Sequence, residues 1–215
     1  TAEAAKCGNT GAGFESWKKA FAAEAEANGV GRKGLSALAG TSYATATIKA
    51  DRNQKSFKLT LDQFMEKRGA ATIIAQGKKQ KAKNAKLFAS IEKKYGVAAG
   101  PLIAIWGMET AFGAYMGNQN TVSAVATLAY DCRRTEFFTE QLIDALKLVD
   151  KGILSSSSKG AMHGELGQTQ FLPKNVFLYG ADGDGGGINL NNKADALAST
   201  ARFLKGHGFP RGGPY

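Results

Sequence analysis

The side chain best placed for acid or base chemistry is Glu109, in a predicted helix over residues 101–113. Leu102, Ile105 and Trp106 recur at the three- and four-residue steps of one helical face, and Glu109 continues that face one turn later. Burial on such a face disfavours the charged form of a carboxyl group and raises its pKa, which suits a general acid. We predict that role for Glu109. The alternative is a glutamate at a helix end that points to solvent or pairs with a lysine.

Trp106, one turn before Glu109, and the nearby Gly107 and Gly113 suggest a groove that a sugar ring could approach. A second carboxylate is then the next feature to look for, because cleavage of a glycosidic bond usually requires an acid together with a base or nucleophile. The sequence offers Glu165, in a glycine-rich segment, and Asp131, beside a cysteine. Neither has a spacing that marks it as the partner of Glu109. A mechanism with one carboxylate therefore stays open.

The charge of the chain restricts its partners. Among 215 residues, 28 Lys and Arg stand against 18 Asp and Glu, giving a formal net charge of +10. This surplus favours polyanionic partners such as nucleic acid, an anionic lipid surface or an acidic polysaccharide. A lysine-rich segment over 78–86 carries much of it, and a solvated helix face is its plainest interpretation. No zinc-finger, RNP or helix-turn-helix pattern is present, so we predict no nucleic-acid partner.

Membrane and export signals are equally informative. No apolar run approaches the roughly 18 residues of a spanning helix, so we predict no transmembrane segment. No charged-then-apolar signal segment opens the chain, which fits either a chain made without one or the mature form of an exported protein. Its two cysteines, Cys7 and Cys132, complete no zinc pattern. An oxidising compartment would join them in a disulfide, whereas a reducing one would leave two thiols.

The spacing of apolar residues is helical along most of the chain, and no alternating strand of useful length is present. Two stretches interrupt this rhythm. One is the serine- and glycine-rich segment 155–173, and the other is 182–187, Asp-Gly-Asp-Gly-Gly-Gly. Long irregular segments inside a helical domain often carry function. The sequence therefore predicts a mainly α fold with little or no sheet.

Three segments, residues 107–113, 167–173 and 194–209, together resemble the lytic murein transglycosylase B family, glycoside hydrolase family one hundred and three, of the lysozyme-like superfamily. Residues 107–113, Gly-Met-Glu-Thr-Ala-Phe-Gly, resemble its Gly-x-Glu-Thr-x-x-Gly motif. Residues 167–173, Gly-Gln-Thr-Gln-Phe-Leu-Pro, are similar to its second signature, and residues 194–209 also follow its pattern. The resemblance extends over residues 14–213. It implies a lysozyme-like transglycosylase domain.

The resemblance also implies an activity. The family cleaves the β-1,4 bond between N-acetylmuramic acid and N-acetylglucosamine in peptidoglycan and leaves a 1,6-anhydromuramoyl end. Glu109 matches the catalytic glutamate, which acts first as acid and then as base, so no second carboxylate is needed. The expected organisation is an N-terminal helical subdomain at 14–85 followed by the catalytic domain at 86–215.

Substrate contacts follow from the same resemblance. Gln170 matches a residue that contacts the glycan. Tyr179 and Phe203 match aromatic positions of the groove, where a ring stacks on a sugar, although an ordinary place in the core is the alternative for both. The predicted substrate-binding set is completed by four residues in or near the two motifs: Thr110, His163, Glu165 and Gln168.

The chain departs from the family pattern in three places. Residues 161–163, Ala-Met-His, replace a serine and an aromatic residue, and that serine is expected to hydrogen-bond the catalytic glutamate. Glu165 replaces an alanine, and if it faced Glu109 it would permit a hydrolytic, lysozyme-like mechanism. The chain stops at Tyr215, before the family's last helical segment, so we expect part of the cleft to be missing.

Some family members bind calcium in an EF-hand-like loop that corresponds to residues 182–187. Asp182, Asp184 and Asp195 are the candidate ligands here. However, a glycine takes the third acidic position and the usual bidentate glutamate is absent. We predict a glycine-rich turn without metal, and no cofactor.

Taken together, these features predict a periplasmic lytic transglycosylase. Its expected partner is the glycan strand of peptidoglycan, with cell-wall or secretion-machinery proteins as further candidates. Export makes a disulfide between Cys7 and Cys132 the expected state. Two alternatives stay open. One is a muramidase that hydrolyses the same bond through Glu165 or Asp131, and the other is a non-catalytic wall-binding or secretion-accessory module.

Overall fold

Nearly all regular secondary structure is helical in the computed structural model, which describes residues 5–54 and 60–211. A 3₁₀ turn at Gly11–Gly13 precedes the first helix. The helices in chain order are α1 Phe14–Ala27, α2 Arg32–Ala39, α3 Thr45–Arg52, α4 Leu61–Lys67, α5 Ala70–Lys83, α6 Ala85–Tyr95, α7 Ala99–Thr110, α8 Thr121–Tyr130, α9 Thr135–Asp150, α10 Pro173–Tyr179 and α11 Lys193–Gly206. Strands β1, Gln119–Asn120, and β2, Lys159–Gly160, form an antiparallel pair. The predicted mainly α fold with little sheet is confirmed.

The chain forms two compact units, and each gathers separate stretches of sequence. The first unit takes the described residues of Thr1–Gln54 together with Gly117–Leu166 and Phe171–Leu178. The second unit takes the rest: the described residues of Lys55–Met116, then Gly167–Gln170 and the described residues of Tyr179–Tyr215. Neither structural unit is one continuous stretch of sequence. The predicted division into an N-terminal helical subdomain at 14–85 and a catalytic domain at 86–215 stays a prediction.

Helix α8 is the centre of the first unit. Every residue of Thr121–Tyr130 is buried. Its sequence is apolar or small on all sides, as expected of a helix surrounded by others, and α9, α2, α3 and α1 all pack against it. Asn120 fixes where it begins, because its side-chain oxygen accepts a hydrogen bond from the Ser123 N–H.

A disulfide ties the first residues of the described chain to the turn after α8. Cys7 and Cys132 are joined, with their Cα atoms 5.0 Å apart. The Gly8 N–H donates to the carbonyl oxygen of Tyr130 at 3.0 Å beside it. The disulfide predicted for an exported chain is therefore present.

The second unit is built on α6, α7 and α11. Its core contains Phe88 and Ile91 from α6, Leu102 and Trp106 from α7, and Leu197 from α11. Helix α7 begins two residues before the predicted start, with its proline in the first turn, where a proline fits. No helix in the described part of the chain is long and apolar enough to span a bilayer.

Candidate active site

Glu109 lies in the last turn of α7 and is exposed to solvent. The prediction that it shares the buried stripe of this helix is wrong. Burial runs from Leu102 through Trp106 to Thr110, four residues apart, while Ile105 is only half-buried. The apolar period continued the stripe to position 109, whereas burial in the last turn of α7 falls on Thr110. Glu109 is therefore accessible from solution.

The turn that follows Glu109 has an unusual backbone. Ala111 and Phe112 have φ angles of 48° and 60°, the left-handed region that side chains other than glycine rarely adopt. Gln170, in the second motif, is the third such residue in the described chain, with φ of 57°. Backbone strain of this kind costs on the order of 1–3 kcal/mol per residue and clusters at functional sites. Its coincidence with both motifs supports a functional role for them.

Hydrogen bonds join the two motifs within the second unit. The Trp106 indole N–H donates to Gln168 Oε1 at 2.7 Å, and the Thr110 hydroxyl donates to the Gln168 carbonyl oxygen at 2.6 Å. Gln168 Nε2 donates in turn to the Asn191 carbonyl oxygen at 2.8 Å. Both Thr110 and Gln168 therefore use their polar groups to hold the second motif on α7, which gives them a positioning role.

Gly113 completes this connection for a steric reason. Its N–H donates to the Thr110 hydroxyl at 2.9 Å. A Cβ at this position would lie 2.2 Å from Gln168 Oε1, and the φ angle is +90°. Only glycine therefore allows the turn after Glu109 to approach Gln168 so closely.

Gln170 is anchored at one end of its amide. Its Nε2 donates to the carbonyl oxygens of Gly167 at 3.0 Å and Met116 at 3.3 Å. The side chain is half-buried. These bonds do not use Oε1, which is the atom suited to accept a hydrogen bond from a ligand hydroxyl.

Tyr179 and Phe203 lie together, as expected of two residues of one site. Their rings meet edge to face with centroids 5.3 Å apart, and both are half-buried. His207, which the sequence analysis did not single out, joins them with its ring centroid 4.2 Å from Phe203 and 5.4 Å from Tyr179. Its position four residues after Phe203, at the C-cap of α11, was the signal available in the sequence.

His163 and Glu165 belong to the first unit. The backbone N–H of His163 donates to Glu165 Oε2 at 3.0 Å, and Nε2 of the ring lies 3.5 Å from Asp51 Oδ1. Asp51 is 1% exposed and also binds the guanidinium groups of Arg133 and Arg134. Sequence analysis missed Asp51, because nothing in its spacing marks a buried carboxylate.

Asp131, the other candidate for a second carboxylate, is also buried. It is 2% exposed, and its Oδ2 lies 3.0 Å from Arg52 Nη2. Its Oδ1 accepts the backbone N–H of Arg133 at 3.0 Å. A carboxylate held in this way stabilises the turn after α8 and is closed to a sugar.

The acidic residues of the 182–187 loop do come together. Ligand atoms of Asp182, Asp184 and Asp195 lie within 4.8 Å of one another. Two of these carboxylates accept hydrogen bonds from backbone N–H groups. Asp182 accepts those of Gly185 and Gly187, and Asp195 accepts those of Gly183 and Asn189. These bonds hold the pKa of Asp182 below its usual range. The three carboxylates are close enough together to share a cation, so the glycine-rich turn without metal stays a prediction.

The family model described as Transglycosylase SLT domain matches residues 13–215. The chain belongs to this family. The match includes Glu109, the strained turn after it and the second motif. The transglycosylase SLT domain therefore extends over both structural units.

Known relatives of this domain are longer than the present chain. Membrane-bound lytic murein transglycosylase B of Escherichia coli (strain K12) is 36% identical over 121 residues, which are 55% of this chain and 34% of the relative. SltB3 from Pseudomonas aeruginosa, solved in complex with NAG-anhNAM-pentapeptide, is 37% identical with a TM-score of 0.87, over 94% of this chain and 55% of that one. SltB1 from the same organism is 26% identical with a TM-score of 0.84, over 92% and 68%. These similarities confirm the lysozyme-like transglycosylase fold.

Proposed function

We propose that the chain is a lytic transglycosylase that cleaves the N-acetylmuramic acid–β-1,4–N-acetylglucosamine bond of peptidoglycan and forms a 1,6-anhydromuramoyl end. The observation that carries the proposal is the family match over 13–215, which includes an exposed Glu109 in an intact motif. The 37% identity to SltB3, whose crystal contains NAG-anhNAM-pentapeptide, supports the anhydro product.

In this mechanism Glu109 performs both proton transfers. The protonated carboxyl group donates its proton to the glycosidic oxygen as the bond to C1 of the muramoyl residue breaks. The resulting carboxylate then accepts the proton of the muramoyl 6-hydroxyl, whose oxygen bonds to C1. The exposure of Glu109 gives the glycan access, and the bound glycan itself would shield the carboxyl group from water.

The substrate would be oriented by residues of the second motif and of α11. Gln170 Oε1 would accept a hydrogen bond from a sugar hydroxyl or amide. Tyr179 and Phe203 would present apolar ring surface to the carbon face of a sugar. Thr110 and Gln168 would act indirectly, since their bonds hold the segment that carries Gln170.

This function also sets a location and partners. An enzyme acting on peptidoglycan works outside the cytoplasm, and the Cys7–Cys132 disulfide fits an oxidising compartment such as the periplasm. Peptidoglycan is the proposed partner. A cell-wall or secretion-machinery protein that recruits the enzyme is a further proposal, and its test is copurification after crosslinking.

A hydrolytic muramidase is the second candidate, and one observation favours it. The Glu165 side chain is 31% exposed, so it is accessible in a way that Asp131 is not. In that reaction Glu165 would activate a water molecule or stabilise the muramoyl cation. The product would then have a reducing end in place of the anhydro ring.

Mass spectrometry of the soluble products from purified peptidoglycan separates these functions. Wild type should release anhydromuramoyl products, and Glu109→Gln should release none while keeping its melting temperature. Glu165→Gln should stay active, and the exposed Glu92→Gln serves as the matched control. Reducing-end products that disappear in Glu165→Gln would establish the muramidase instead. Full activity of Glu109→Gln would refute the mechanism, and an inactive wild type would indicate a binding module.

A further inference from the structure

The second unit contains an apolar pocket that the proposed mechanism does not use. It has a volume of about 310 Å³ and lies between α4, α5 and α7. Its lining is almost entirely carbon and includes Met65, Ile73, Ile103, Ala104 and Met108. Water in such a pocket finds few hydrogen-bond partners, so an apolar ligand group would displace it readily.

Helices α5 and α7 approach each other closely beside this pocket, because the residues at their contact points are glycines. A Cβ on Gly77 would lie 2.8 Å from Ile103 Cγ2, and one on Gly107 would lie 2.7 Å from Ile73 Cγ2. Lys78 and Lys81 of α5 are among the residues that line the pocket. The pocket is therefore fixed by packing within one unit.

Positive charge surrounds the opening. Arg68, Lys78 and Lys81 line the pocket. Residues 68–91 contain six basic side chains and no acidic one: Arg68, Lys78, Lys79, Lys81, Lys83 and Lys86. The carboxylates of α4, Asp62 and Glu66, are exposed and are not among the lining residues. An anionic group would be attracted to this rim.

Exposed apolar side chains adjoin the same pocket. Ile74 is 56% exposed and Met65 is 37% exposed, and both also line it. Leu61, one turn before Met65 on α4, is 75% exposed. Large apolar side chains beside a cationic helix are typical of elements that bind at the surface of an anionic membrane.

We propose that this face, formed by α4, α5 and the residues of α7 that line the pocket, docks on an anionic lipid bilayer. The lysines of α5 would contact lipid phosphates, Met65 and Ile74 would enter the headgroup region, and the pocket would receive part of an acyl chain. An acidic peptide fits the charge but not the pocket, since a peptide backbone needs hydrogen-bond partners that an almost wholly apolar lining does not supply. Lipid phosphate and acyl chain together satisfy both the charge and the apolar lining.

Vesicle cosedimentation tests this proposal with the complete chain. The probes are vesicles of phosphatidylethanolamine with and without phosphatidylglycerol. Wild type should bind the anionic vesicles only. Each lysine near an anionic surface strengthens binding by about fivefold, so Lys78→Gln/Lys81→Gln should weaken it by about 25-fold. The exposed pair Lys19→Gln/Lys49→Gln is the charge-matched control and should bind nearly as wild type.

A second variant tests the pocket apart from the charge. Ala104→Trp places an indole in the pocket and leaves every lysine in place. Each acyl methylene that it excludes weakens binding by about fourfold, so loss of two or more methylenes predicts a weakening beyond about tenfold. Melting temperatures near that of wild type would show that the variants fold.

The outcomes are separable from those of the lytic reaction, because vesicle binding involves no glycan. Glu109→Gln should bind vesicles as wild type does. Equal binding to neutral and anionic vesicles, or equal losses in the α5 and control pairs, would overturn the proposal. If the α5 pair lost binding to purified peptidoglycan while keeping vesicle binding, the face would serve an acidic wall ligand and the lipid proposal would be wrong.

Discussion

Replacement of Thr110 by valine tests whether the hydroxyl group beside Glu109 holds the two motifs together. Valine has nearly the same shape, so the change removes two hydrogen bonds and leaves the volume almost constant. The Thr110 side chain is 1% exposed, and the Gln168 carbonyl oxygen and the Gly113 N–H would both lose their partner at part-buried positions. An unsatisfied group costs about 1–3 kcal/mol, and partial burial places each of these two in the lower half of that range, so Thr110→Val should destabilise the protein by about 2–4 kcal/mol.

Thr110→Ser is the matched control, since it keeps the hydroxyl group and removes one methyl group at about 1 kcal/mol. For a chain of this size each kcal/mol lowers the melting temperature by about 2–4 °C. Thermal unfolding with the disulfide intact should therefore show a fall of roughly 10 °C for valine and only a few degrees for serine. A serine variant that melts at or below the valine variant would refute this account, because burial of the methyl group would then outweigh both hydrogen bonds.

Three further predictions concern the disulfide, the acidic loop and the strained glutamine. Cys7→Ser should lower stability by about 3–5 kcal/mol, because Cys7 and Cys132 close a loop with a sequence separation of 125, and thiol reagents should label the wild type only after reduction. Hydrogen bonds from backbone N–H groups lower the pKa of Asp182. The stabilisation that its carboxylate provides is therefore complete at a pH above the usual pKa of 3.8, and it is lost as the pH falls through the lower pKa of the folded protein. Asp182→Asn should accordingly flatten the fall of melting temperature below about pH 4, and an unchanged acid profile would contradict this. Gln170→Gly should relieve a left-handed backbone and raise stability by about 1 kcal/mol relative to Gln170→Ala, while both weaken glycan binding measured by sedimentation with peptidoglycan.

The sequence predicted the mainly α fold and helix α7 well, and the environment of Glu109 poorly. The apolar period places α7 to within about three residues at each end, because helix formation and a buried stripe follow from local spacing. Whether Glu109 is covered depends on which distant elements reach the last turn of that helix. Tertiary packing decides whether Glu109 is covered, and the spacing of apolar residues along one helix does not reveal it.

The same limit applies to the other site residues. The motifs locate Thr110 and Gln168, but only the structure assigns them to hydrogen bonds within the protein. The ring contact of Tyr179 with Phe203 joins residues far apart in sequence, and family resemblance was the only signal for it. Buried Asp51 could not be predicted, since its arginine partners lie some eighty positions away.

The interleaving of the two units imposes an order on folding during synthesis. At about 5–20 residues per second, Cys132 follows Cys7 after roughly 6–25 s, a delay set by the 125 residues that separate them. During that interval α1 and α2 have emerged without α8 and α9, so Phe14, Trp17 and Phe21 have no core to enter. Exposed aromatic side chains would favour aggregation of the nascent chain in that interval, and a chaperone that binds aromatic segments would have its target in α1.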